Sequence, residues 1–159
     1  MSSSTAALCD QYAEQLQIAD PGLRDFGGLQ SFSGSIVTLK VFEDSTLLRT
    51  TLTAAGAGRV LVVDGSASVR CALLDRSLAE VALENGWAGV VINGCVRHTA
   101  ALAELAIGIK ALAAHPLKSF KHGIGEHDIP LRFAGVHFLP GQYIYADEDG
   151  LVVAAKALV

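Results

Sequence analysis

The stretch RVLVVDGSASVRCALLDRSLAEVALENGWAGVVINGCVR, Arg59 to Arg97, decides the fold. It opens with a continuous apolar run, Arg59 to Asp64, closed by Asp64-Gly65, and such a run marks a strand buried on both faces. A helix follows over about Asp75 to Asn85 and stops at Gly86. Trp87 to Ile92 is then a second buried strand. Strand, helix and strand in that order make a β-α-β unit.

Upstream, a short helix is predicted over Thr5 to Gln15, with Ser4 or Thr5 as its N-cap, ending before the loop Asp20-Pro21-Gly22. Phe26-Gly27-Gly28 leads into Ser33 to Phe42, whose β-branched alternation predicts a strand. Asp44 or Ser45 caps a second helix to about Ala55, and Gly56-Ala57-Gly58 ends it. Downstream, a tight turn over residues 94–98 precedes a short helix at Thr99 to Leu105. A strand over Ile107 to Ala114 follows, and His115-Pro116 ends that strand. The polar, glycine-containing loop Lys118 to Asp128 opens a different regime. Brief strands at Leu131 to Phe138, Tyr143 to Ala146 and Leu151 to Ala154 are separated by Pro140-Gly141 and Asp149-Gly150. They predict an antiparallel meander packed against the α/β half. The expectation is one mixed α/β domain over residues 1–159.

The chain has 159 residues, 51% of them apolar and 18% charged. That is enough for one full core, and the sparse charge leaves apolar surface to bury between subunits. The formal net charge of −4, with scattered basic residues, argues against direct nucleic-acid binding. Cys9, Cys71 and Cys95 lie far apart with no metal-finger spacing, and read as reduced small hydrophobes. MSSSTAALCD has no basic region followed by an apolar one, and no run of about 18 apolar residues occurs anywhere. A cytoplasmic protein, neither exported nor membrane-spanning, is expected.

Several chemistries lack their signatures. Asp64-Gly65-Ser66-Ala67-Ser68 has neither a GxGxxG spacing nor a phosphate-loop lysine, and no Gly-x-Ser-x-Gly elbow is present. None of His98, His115, His122, His127 and His137 forms a close pair that one element would present to a metal. His122 and His127, beside Glu126 and Asp128, read as solvated loop residues. His137 reads as the outward face of a strand, and Asp147-Glu148-Asp149 as a solvated turn.

Two loops remain, and the β-α-β unit brings both to the same edge of the sheet. Asp75-Arg76-Ser77-Leu78 opens a helix, where free amides and the helix dipole can receive a carboxylate. Arg97 follows the next strand, where a guanidinium can pair with a carboxylate or stabilise an enolate oxygen. Together they suit a small oxo-acid. The residues alone more readily make Asp75 a plain helix cap and Arg97 a surface or interface ion pair.

The chain resembles the RraA-like proteins, which include the regulator of ribonuclease activity A and the class II 4-hydroxy-4-methyl-2-oxoglutarate aldolases. The likeness rests on collinear stretches over nearly the whole chain: LCDQY (Leu8 to Tyr12), FGG (Phe26 to Gly28), TLKVFED (Thr38 to Asp44), GRVLVVDG (Gly58 to Gly65), NGWAGVVINGCVR (Asn85 to Arg97), GIGEHD (Gly123 to Asp128) and FAGVHFLPGQYIYADEDG (Phe133 to Gly150). It implies a swivelling β/β/α domain, with mixed sheets and flanking helices, that assembles as a homotrimer with its site at the subunit interface. In the aldolase branch it implies a divalent cation, magnesium or manganese, which with an arginine holds a pyruvyl group and stabilises pyruvate enolate. That intermediate serves both aldol cleavage and oxaloacetate decarboxylation. The family arginine maps to Arg97, and the loop receiving the substrate carboxylate maps to Asp75, Arg76, Ser77 and Leu78. Two positions depart from the pattern. His98 replaces the metal-binding aspartate, and Ala101 replaces an acid three residues later. An imidazole suits zinc, nickel or cobalt better than magnesium, so a softer ion at His98, or no metal, is the expectation.

Two functions follow from the resemblance. One is a metal-assisted carbon-carbon lyase that forms pyruvate. The other is an acidic regulator that binds the arginine-rich scaffold region of ribonuclease E and damps RNA cleavage.

Overall fold

The computed structural model describes residues 3–159. In chain order the elements are α1 (Thr5–Tyr12), β1 (Leu16–Ile18), β2 (Arg24–Asp25), β3 (Phe32–Lys40), α2 (Thr46–Thr53), β4 (Val60–Asp64), β5 (Ala72–Leu74), α3 (Arg76–Glu84), β6 (Gly89–Val96), α4 (Thr99–Leu102), β7 (Gly108–Ala114), β8 (Glu126–His127), β9 (Leu131–Phe133), β10 (Val136–Phe138), β11 (Tyr143–Asp147) and β12 (Gly150–Ala154). The result is a mixed α/β fold with a large mixed sheet and flanking helices, as expected from the sequence. No helix among the described residues is long and apolar enough to cross a membrane.

The sheet runs β1-β12-β11-β3-β4-β6-β7-β2, with β5 added to β6 and β8 to β3. The predicted β-α-β unit is its centre. Strands β3, β4, β6 and β7 are parallel, with Val60 opposite Gly89 and Gly89 opposite Gly108. All five residues of β4 are buried, as its unbroken apolar run requires. On one face α2 and α3 seal a core around Leu48, Leu52, Leu78, Ala82, Trp87 and Leu102. On the other, Ile36, Val62 and Val91 meet Phe133, Phe138, Ile144 and Val153. Gly89 and Gly108 lie under the Phe32 ring, and a Cβ on either would overlap it. Glycine thus lets an aromatic ring lie flat on the sheet.

Four expectations need correction. The strand ending at Ile92 runs on to Val96, because β5 and β7 both pair with Cys95 and Val96 beyond a bulge. The turn is therefore confined to Arg97 and His98 rather than spanning 94–98. Leu131 to Phe138 is a two-stranded hairpin, turned by Ala134 and Gly135 at φ 52° and 73°. The β11-β12 hairpin does more than pack against the α/β half: it extends the same sheet, since Phe32 to Ser35 pair antiparallel with β11 while Ile36 to Lys40 pair parallel with β4.

The fourth concerns Asp147, expected in a solvated turn. It is buried, and accepts the Thr5 hydroxyl at 2.6 Å and the Thr5 amide at 2.8 Å. Burial pushes this carboxyl up, but the hydrogen bonds from Thr5 and from the Asp149 and Gly150 amides prevail and hold it below the ordinary aspartate value. Asp147 thus fixes the start of α1, whose Ser4 side chain caps the Ala7 amide as predicted.

Candidate functional site

Chain topology brings Asp75 and Arg97 together. The Arg97 amide donates to the Leu74 carbonyl at 3.0 Å, so the end of β6 is tied to the end of β5. Asp75 directly follows β5 and caps α3, its Oδ1 accepting the Leu78 amide at 3.0 Å. Its Oδ2 lies 3.7 Å from Arg97 Nη2, and each side chain is about a quarter exposed. A pair so long and so solvated contributes about 0–1 kcal/mol. Arg97 Nη1 also reaches the Pro116 carbonyl, at 3.4 Å.

The rest of the sequence-predicted loop points elsewhere. Arg76 is exposed and pairs with Glu80 along the helix. Ser77 Oγ accepts from Arg49 Nη2 at 3.3 Å, and Leu78 is buried against the core. His98 is exposed and left-handed, at φ 58°. Its Nδ1 accepts the Arg76 amide at 3.3 Å, so the ring is the Nε2–H tautomer in this contact. Aspartate and histidine are both among the residues that tolerate the left-handed region, so either fits this backbone.

Beside Asp75 opens a cleft of about 480 Å³ between α2 and α3, lined by Ser45, Thr46, Arg49, Thr50, Asp75 and Lys121. It narrows to a recess of about 30 Å³ at Arg97, Lys118 and Ser119. Sequence reasoning missed the α2 wall. Its signal was there, because Thr46, Arg49, Thr50 and Thr53 recur at helical spacing as one polar face. The opposite wall comes from the 118–125 loop. Asp44 organises it, with Oδ2 accepting the His122 and Ile124 amides and Oδ1 the Thr46 amide at the start of α2. Burial would raise Asp44, but these three amides hold its carboxyl below the ordinary value. Preceding it, Glu43 sits at φ 54° and accepts both Ser68 Oγ and Arg70 Nε. The Arg70 and Ser68 hydrogen bonds lower its carboxyl as well.

With Asp44 fully engaged, Arg49, Arg97, Lys118 and Lys121 face a single further carboxylate, Asp75, around the cleft. The balance favours an anionic ligand. A divalent cation fits poorly. Among the described residues no three His, Cys, Asp or Glu side chains converge on one point. At the turn, Asp75 already faces Arg97 and the Leu78 amide, while His98 Nδ1 is taken by Arg76. The other His98 nitrogen carries the ring hydrogen in this contact, and an imidazole is a poor substitute for the carboxylate that an oxygen-preferring ion such as magnesium takes.

Comparison with known proteins places these features in context. The model of the RraA-like family, described as Aldolase/RraA, matches residues 5–153. A protein of Alkalilimnicola ehrlichii named "Putative 4-hydroxy-4-methyl-2-oxoglutarate aldolase" is 53% identical over 159 residues, covering 100% of this chain and 99% of that protein. The structure of the RNA-processing inhibitor RraA from "Thermus thermophilis" superposes with a TM-score of 0.96 at 48% identity, covering 100% of this chain and 96% of that one. A Geobacillus kaustophilus structure named as an S-adenosylmethionine: 2-dimethylmenaquinone methyltransferase also gives 0.96, at 47% identity, over 98% of this chain and 97% of that one.

Proposed function

The chain belongs to the RraA-like family, and from that premise we propose that it binds a short 2-oxo-diacid in the α2-α3 cleft and acts on it as a pyruvate-forming carbon-carbon lyase. The observation that carries this reading is the cation-rich cleft ending at Arg97, where β5, α3 and β6 meet. The relatives named as aldolases support the reaction class. In aldol cleavage of 4-hydroxy-4-methyl-2-oxoglutarate, as in decarboxylation of oxaloacetate, the breaking bond leaves its electron pair as an enolate on the 2-oxo oxygen. A guanidinium at Arg97 is suited to that charge, and Arg49 or Lys121 to the distal carboxylate. The donors at the turn do not suit a divalent ion, so no step is assigned to one, and slow turnover is expected.

The test is pyruvate release from 4-hydroxy-4-methyl-2-oxoglutarate and from oxaloacetate, scanned with magnesium, manganese, zinc and cobalt. His98→Asp is expected to raise the metal-dependent rate by about 100-fold or more, the scale of a restored ligand. If neither the parent nor His98→Asp exceeds the rate with free metal, the lyase reading falls.

A homotrimer, with the cleft near the subunit boundary, is part of the same proposal. Supporting it, Phe42, Val69, Leu117, Phe120 and Ile124 are all more than half exposed and come from adjoining loops. The neighbour described as an RNA-processing inhibitor supports a second reading, an acidic protein that sequesters the basic scaffold region of ribonuclease E. A salt-sensitive complex at micromolar concentration in a pull-down is its expected signature. The two readings do not exclude each other.

A further inference from the structure

Resting on the oxo-acid reading of the cleft, we propose that Asp75 is a resident carboxylate that occupies the place of the ligand's own carboxylate and restrains binding. Two groups that would recognise an incoming carboxylate, the Leu78 amide and the Arg97 guanidinium, are engaged by this side chain. Oδ1 takes the Leu78 amide at 3.0 Å and Oδ2 faces Arg97 at 3.7 Å. The neighbouring Arg76 amide is taken by His98 Nδ1. Space gives an independent sign. The recess at Arg97 measures about 30 Å³ while the cleft beside it measures about 480 Å³. The former holds about one water, and a pyruvyl group is several times larger. The ligand therefore enters from the Arg49 and Lys121 side, and reaches Arg97 only when Asp75 turns away.

That movement is accessible, because the Arg97 contact is long and partly solvated. The chain thus discriminates by charge arrangement. A ligand with one carboxylate must compete with Asp75 for Arg97. A diacid gains a second anchor at Arg49 or Lys121 before that competition begins, so diacids are favoured over monoacids.

Calorimetric titration with oxalate and with pyruvate tests the idea on three proteins, the parent and two Asp75 variants, with Arg97→Met added to each as a control. Asp75→Ser keeps a good helix cap while removing the charge beside Arg97, and Asp75→Gly frees the amide as well at a site where glycine also caps. Oxalate affinity is expected to rise about fivefold in Asp75→Ser and about tenfold or more in Asp75→Gly, with Arg97→Met abolishing the gain. Unchanged affinity in both Asp75 variants overturns the proposal, as does absence of binding by all three proteins. Turnover separates the two readings. Tighter oxalate binding without pyruvate formation by the parent or by His98→Asp supports the resident carboxylate and removes the lyase, whereas parental turnover with unchanged affinity does the reverse.

Discussion

Arg97 reaches its position through a backbone bond to Leu74, and its guanidinium is held loosely, by Asp75 at 3.7 Å and Pro116 at 3.4 Å. Such a side chain keeps donors for a ligand, and its planar fork distinguishes it from a lysine. Arg97→Lys is expected to weaken oxalate binding about tenfold while leaving the melting temperature within about 2 °C, since the ion pair it removes is weak. An equal affinity in titration would show that the cleft reads charge alone. At this scale the sequence was partly legible. A helix cap at Asp75 and a cation at the strand end follow from local pattern, yet that the two side chains face one another follows only from β5, a three-residue strand too short to signal itself. The contact between His98 and the Arg76 amide was hidden for the same reason, since it joins residues 22 positions apart.

Among the elements, α1 depends on one distant carboxylate. Thr5 and Asp147 are 142 positions apart, and two hydrogen bonds join them. Asp147→Asn keeps the shape but loses the charge and one acceptor. A loss of about 1–2 kcal/mol is expected, read as a fall of about 3–8 °C in the melting temperature. The pH dependence has a definite sign. The folded carboxyl is depressed, so its contribution is present above the unfolded value near pH 4 and is lost as pH falls through the lower, folded value. Parent and variant should therefore converge in stability in acid, by calorimetry at stepped pH. A difference that persisted there would assign the effect to packing. The long, strongly patterned elements β4, α3 and β7 were legible to within about two residues. The acidic run at 147–149 misled because a buried aspartate and a solvated one look alike until the partner, Thr5, is known.

For the whole molecule, the parallel centre was readable from its apolar runs, while the attachment of β11 and β12 to β3 was not. Nothing local marks a strand that changes partner and direction between Ser35 and Ile36. The excess of apolar residues in the composition reappears as the exposed group at Phe42, Val69, Leu117, Phe120 and Ile124. If these residues bury one another between copies, Phe120→Glu combined with Ile124→Glu should shift the particle from trimer to monomer in light scattering. A monomeric parent would remove the assembly from the proposal.

The double allegiance of β3 also sets a timetable for biogenesis. While the chain is being synthesised, Leu16–Ile18 and Phe32–Ser35 must wait with unsatisfied edges until the hairpin at 143–154 leaves the ribosome, whereas β4, α3, β6 and β7 can already dock. A nascent or prematurely stopped chain ending before Tyr143 would expose both edges beside the apolar face of the sheet. It would be a natural client for chaperones and a seed for aggregation.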